Sequence, residues 1–288
     1  MRGFGAGGVA VAVLVTAMTA TGCGEGETDG GLLAEEASVS TPYSGPLRVP
    51  HKEYDEDSPR ATKAESGAAG MALECDGEIA SGGFGGNWSK RDGGATPEDG
   101  LRTYFEVEQP DVPRSGYRVE RRDKGRVLFS YDVDGRTKVA VIVAKDQPHR
   151  PGWGPETTAS CDIAEFPPSF SEERGLEIWT DGRGRRLPLS TISSSQGSEH
   201  CDWQSAHFLE LGSGADRVLY ARDPKGVLDG MLTAAYDGDA TLPDDARDTG
   251  YRRGEKRLWL SEDRTKAYVR TSGTVEMWPA VKPRMGCA

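Results

Sequence analysis

The sequence predicts an α+β protein: N-terminal helices packed on a four-stranded antiparallel sheet, followed by a mostly antiparallel β domain. Three observations lead there. Ser58-Pro59 and Thr96-Pro97 each place a capping hydroxyl before a proline at the first helical position, and each opens an apolar helical period. Asp134-Gly135 sits between two β-rich runs, a strong two-residue hairpin signal. From about Ser171 onward, short β-rich runs alternate with Gly, Asp and Ser turns.

The elements follow in order. After Ser58-Pro59, the residues Ala61, Ala64, Ala68, Met71 and Cys75 recur at helical spacing, which puts Cys75 at or just past the end of a helix on its buried face. GGFGGNWSKRDGG, residues 82–94, reads as a glycine-rich loop carrying Phe84 and Trp88. A second helix starts at Thr96-Pro97-Glu98-Asp99, with Leu101, Tyr104 and Phe105 as its apolar stripe and Pro110 and Pro113 beyond its end. RVLFSYDV and RTKVAVIVA form the hairpin, with Val133 opposite Arg136, Phe129 opposite Ala140 and Val127 opposite Ile142 on one core face. YRVERR and ETTASC complete four strands. In this order of elements the region resembles small cystatin-like or NTF2-like modules. In the second region, EIWTD, RRLPL, HFLEL, RVLYA, KRLWL, KAYVRT and TVEMW are the strand candidates, and DGDATLPDDARDTG is a long acidic loop.

The first residues speak to compartment. MRGFGAGGVAVAVLVTAMTATGC has one basic residue, a short apolar run and small residues, the layout of a secretory signal. Ala20-Thr21-Gly22-Cys23 resembles the bacterial lipobox. That resemblance implies a diacylglyceryl group, with palmitate-type acyl chains, on Cys23 and cleavage before it. Two or three such chains give stable membrane attachment, where one gives reversible binding. The resulting division is a signal peptide over 1–22, a flexible acidic tether over 23–57, an α+β domain over 58–170 and a mainly β domain over 171–288. As a coil the tether spans roughly 30–35 Å.

Charge narrows the partners. Lys plus Arg number 35 against 46 Asp plus Glu, a formal net charge of −11. Such a surface repels phosphate backbones, so no nucleic-acid partner is expected. It also suggests no basic patch for anionic headgroups, leaving the lipid on Cys23 to hold the membrane.

The stretch EHCDWQSAH, residues 199–207, allows a metal site, a catalytic thiol or half of a disulfide. His200 and His207 are seven apart and would face opposite sides of a strand, and only His200 and Asp202 could share a face. With Cys23 lipidated, Cys75, Cys161, Cys201 and Cys287 remain, an even number in an exported chain. Three pairings are possible. Cys75–Cys161 and Cys201–Cys287 are preferred because each closes its own domain, and Trp203 is expected against the second bridge. No metal and no cofactor are expected. Ser193-Ser194-Ser195 reads as a loop rather than a nucleophile site. Asp132-x-Asp134 is explained as a hairpin turn, and Asp237, Asp239, Asp244, Asp245 and Asp248 as solvated loop charge. Phe84 and Trp88 are the candidate contacts for a glycan or protein ligand, although rings tucked onto the domain explain them as well.

The final third, with HCDWQSAHFLEL, YARDP, DTGYRRGEKRLWL, AYV and the terminal Gly-Cys-Ala, is similar to exported Streptomyces-like actinomycete lipoproteins of unassigned function. The expectation is a lipid-anchored protein on the extracytoplasmic face of the cell membrane, with a non-enzymatic binding or envelope-structural role and a protein or glycan partner. The alternative is a secreted-side hydrolase whose active site has no recognised motif.

Overall fold

The computed structural model describes residues 31–34, 42–50, 54–56, 58–85 and 88–283, all within one unit, Gly31–Ala288. The signal, Cys23 and Cys287 lie outside the described residues. The expected fold class is not what forms. The chain is mostly β, with antiparallel sheets of five, four and three strands, and its helices are few and short.

Both proline-led helices start where the caps predict. Ser58 Oγ accepts from Ala61 N at the head of α1 (Pro59–Glu65), and Thr96 and Asp99 form a reciprocal capping box on α3 (Pro97–Val107). The first period does not run on to Cys75. Gly67 turns left-handed (φ +52), so a separate α2 covers only Gly67–Ala72 and leaves Met71 51% exposed.

The glycine-rich loop is partly a strand. β1 (Ile79–Phe84) pairs antiparallel with β5 (Arg150–Cys161) and makes the sheet five-stranded, in the order β1-β5-β4-β3-β2. Glycine is a poor strand former, but here close approach demands it: a Cβ on Gly82 would lie 2.2 Å from Ser66 Oγ and 2.7 Å from the Thr158 carbonyl. β2 is Arg118–Asp123, β3 Arg126–Val133 and β4 Arg136–Gln147.

The Asp134-Gly135 turn holds Val133 opposite Arg136, as the sequence predicts. Beyond it the register slips by one, because a bulge leaves Lys138 unpaired on β4; Val127 then meets Val143, and Phe129 meets Val141. The slip carries no burial penalty because the sheet is the middle layer. Val127, Phe129, Val141 and Val143 pack under Leu101, Tyr104 and Phe105 of α3. Leu128, Ala140 and Ile142 pack on the other side under Ala68, Ala69 and Ala72 of α2 and under Leu47. A sheet buried on both faces needs an unbroken apolar run rather than an alternation, which is what VAVIVA supplies. Leu32 also packs against the first core, and Ala34 N donates to the Tyr117 carbonyl, so parts of the segment read as a tether lie on the body.

The second lobe forms two sheets, β6-β7-β8 (Ile192–Gln196, His207–Leu211, Val218–Arg222) and β12-β11-β10-β9 (Val275–Pro279, Lys266–Arg270, Lys256–Leu260, Arg247–Arg253). Isolated bridges join them at both edges. Tyr220 pairs with Ala280 on one side; on the other, the segment 177–180 pairs Glu177 with Ser194 and Thr180 with Arg252. The result is a small barrel-like ring, filled by Trp179, Ile192, Leu209, Tyr220, Leu258, Val269 and Trp278. Buried Asp162 links the lobes by accepting from Leu189 N, and Arg186 donates to the Phe166 carbonyl. Among the described residues no helix is long and apolar enough to cross a membrane.

Helix α3 comes close to the sheet at Gly100. A Cβ there would lie 2.4 Å from Val143 Cγ1 and 3.1 Å from Gly154 N. Gly100→Ala is expected to destabilise the fold by about 1–3 kcal/mol in denaturant unfolding; an unchanged midpoint contradicts this packing.

Candidate functional site

In β6, β7 and β8, core-facing residues alternate along the strand and the stripe ends in a polar residue at the same rim. Ile192 and Ser194 lead to Gln196, Leu211 and Leu209 to His207, and Val218 and Tyr220 to Arg222. Gln196, His207 and Arg222 are directly paired across the three strands. Arg253 and Lys256, paired across the β9–β10 hairpin, reach the rim from the other sheet. Together with Glu172, Glu177 and Gln204 these side chains line an open cleft of about 520 Å3 at the barrel mouth. Mouths of barrels are recurrent ligand sites because the core there gives way to solvent while the side chains still converge.

Glu177 organises the mouth. Its carboxylate accepts from Ser194 Oγ at 2.6 Å and from His207 Nε2 at 2.9 Å, and pairs with Arg253 at 2.8 Å. Burial alone would raise its pKa. The hydrogen bonds from His207 and Ser194, with the charges of His207 and Arg253, outweigh that and hold it at about 2. An ionised carboxylate only accepts, so His207 Nε2 carries the hydrogen. Ser194 Oγ gives its own hydrogen to Glu177 and accepts from Trp179 Nε1 at 2.9 Å. A second carboxylate, Glu276, holds Arg222 at 2.9 Å and Trp278 Nε1 at 2.9 Å. The His207 and Trp278 ring centroids stand 5.9 Å apart in a T-shaped arrangement.

Ser194, His207 and Glu177 are the residue types of a hydrolase triad, but the wiring differs. A nucleophile's hydroxyl donates to the imidazole, and the acid holds the other ring nitrogen. Here the hydroxyl donates to the acid itself and is buried. The arrangement fixes side chains in place and offers hydrogen-bonding groups to a ligand.

The residues singled out in the sequence lie elsewhere, except His207 and Ser194. Cys75 and Cys161 form the expected disulfide, with Cα atoms 5.4 Å apart. Cys201 is also disulfide-bonded, and its expected partner Cys287 lies outside the described residues. Trp203 packs in a small core with Ala206, Leu228 and Cys201. His200 is exposed on a short 3-10 turn that ends at left-handed Asp202, away from the described cleft lining. Trp88 is buried with its Nε1 donating to the Pro155 carbonyl at 3.0 Å, whereas Phe84 is 49% exposed at the end of β1. Ser193-Ser194-Ser195 is strand β6 and not a loop. Among the described residues the one cluster of metal-donor types, Cys75, Cys161 and Glu165, has its two sulfurs bonded to each other. No protein-family model matches the chain, and neither the curated proteins nor the solved structures provided a match.

The sequence signal for the mouth was the polar residue closing each alternating stripe: I-S-S-S-Q, H-F-L-E-L, V-L-Y-A-R and K-R-L-W-L. Because the folded pKa of Glu177 lies below its ordinary value of 4.5, its contribution is present above about pH 4.5 and is lost as pH falls towards about 2. That loss is expected to be on the order of 2–3 kcal/mol. Glu177→Gln is expected to lower neutral-pH stability and to flatten the stability profile between those limits; an unchanged acid limb contradicts the assignment.

Proposed function

We propose that the chain is an extracytoplasmic lipoprotein, held at the cell membrane through Cys23, whose second lobe binds a polar, glycan-sized ligand in the barrel mouth without turning it over. The observation that carries the binding reading is the convergence at one mouth of two carboxylates, an imidazole, two amides and three cations, drawn from five strands, the ring-closing segment, the helix over Pro168–Glu173 and the turn before β7. Such a set supplies both donors and acceptors to hydroxyl-rich ligands, around an apolar floor. The Cys75–Cys161 bridge supports an oxidising exterior, since disulfides persist there and are rare in the cytosol. The lipobox-like Ala20-Thr21-Gly22-Cys23 supports the anchor. The hydrolase alternative draws on Ser194, His207 and Glu177, and the hydroxyl-to-carboxylate bond weighs against it.

Two experiments test this. In the native host, palmitate labelling is expected on the wild-type chain and absent from Cys23→Ala; label retained by the variant removes the anchor assignment. For the mouth, saturation-transfer NMR against cell-envelope oligosaccharides is expected to detect a ligand that Arg222→Gln weakens at least tenfold and Ser194→Ala leaves bound. A hydrolytic activity that Ser194→Ala abolishes, with the variant still folded, establishes the alternative instead.

A further inference from the structure

The outer face of the four-stranded sheet carries a charge pattern that the core and the mouth do not explain. Arg252 on β9 is directly opposite Arg257 on β10, and Arg257 is directly opposite Arg270 on β11. Directly paired residues share a face, so the three side chains form one row across three adjacent strands. At strand spacing the row is about 10 Å long. All three are exposed.

Three features set this row apart. Like charges directly opposite one another destabilise a sheet, and Arg257 makes two such contacts. The chain as a whole carries −11, so carboxylates are abundant. Other arginines of this lobe use them: Arg185, Arg217, Arg222, Arg247 and Arg253 all form ion pairs. Among the described residues none of the three in the row is within ion-pair distance of a carboxylate. No basic patch is expected from the sequence, and strand register assembles one from residues up to 18 positions apart.

We infer that this row is a docking site for a linear polyanion, a chain of phosphate or carboxylate groups laid across strands β9 to β11. Its charge complements such a chain, and its shape selects it over a membrane surface. The row is one residue wide, and the acidic loop flanks it: Asp237 bridges to Met277 on the neighbouring edge strand, and Ala240 N donates to the Val275 carbonyl. A flat anionic bilayer would meet the aspartates of that loop, whereas a single chain follows the arginines. The inference stands independently of the mouth and of the anchor, because it uses neither.

The test uses the full chain in neutral detergent, with inorganic polyphosphate as the probe. Wild type is expected to bind with a salt-dependent affinity. The triple variant Arg252→Gln/Arg257→Gln/Arg270→Gln is expected to lose at least tenfold, with the log-affinity against log-salt slope reduced by roughly one per arginine removed. Its melting temperature is expected to hold or rise, because two like-charge contacts disappear. Arg247→Gln, which removes an exposed arginine paired with Glu262, is expected to bind as wild type does. Undiminished binding by the triple variant, or an equal loss in Arg247→Gln, overturns the inference. So does binding confined to mixed micelles carrying phosphatidylglycerol, which assigns the row to a membrane surface.

Discussion

The carboxylate of Glu177 is where the second lobe is held closed. The segment 177–180 has no sheet of its own; it bridges β6 through Ser194 and β9 through Thr180 and Arg252. Glu177 adds side-chain bonds to β6, β7 and β9 at the same point. A partly buried carboxylate with one partner would be costly, and three donors make it stable while ionised. The same bonds that close the ring set the rotamers of Ser194, His207 and Arg253. The geometry of the mouth is therefore a consequence of ring closure, not a separate feature laid over it.

The first lobe solves a different problem. Its sheet is covered on one face by α3 and the Phe166–Phe170 segment and on the other by α2 and the stretch around Leu47. At the border of these layers Lys138 is buried, and its ammonium needs acceptors. The bulge on β4 turns it towards Glu165, Asp76 and the Glu74 carbonyl. Glu165 also accepts from Asp76 N and Gly77 N, beside the Cys75–Cys161 bridge. The covalent link and the ionic knot thus fasten the same two chain segments, and Asp162 carries that rigidity across to Leu189 in the second lobe.

Local chemistry was legible in the sequence, and long-range closure was not. Caps at Ser58 and Thr96, the Asp134-Gly135 turn, and strands β7, β8 and β10 to β12 follow from residue preferences within a few positions. β1 was hidden because Gly82 and Gly83 depress strand propensity, and only the proximity of Ser66 and Thr158 explains Gly82. The register slip was hidden because the need to satisfy Lys138 arises only once Glu165 is near. The fold class differs from the expectation for a related reason: the helical period of the alanine-rich stretch predicts one long helix, and Gly67 breaks it. Of the mouth, His207 was visible as a histidine worth weighing. Glu177, Arg222 and Arg253 were not, because what unites them is a ring closed across more than 70 residues of sequence.

The most direct measurement is the neutral-state tautomer of His207, read from its ring-nitrogen correlations by NMR at a pH high enough to keep the imidazole uncharged. The hydrogen is expected on Nε2, donated to Glu177, with Nδ1 unprotonated. A hydrogen on Nδ1, leaving Nε2 free to accept from a serine, would contradict the wiring of the mouth and return the site to the hydrolase reading.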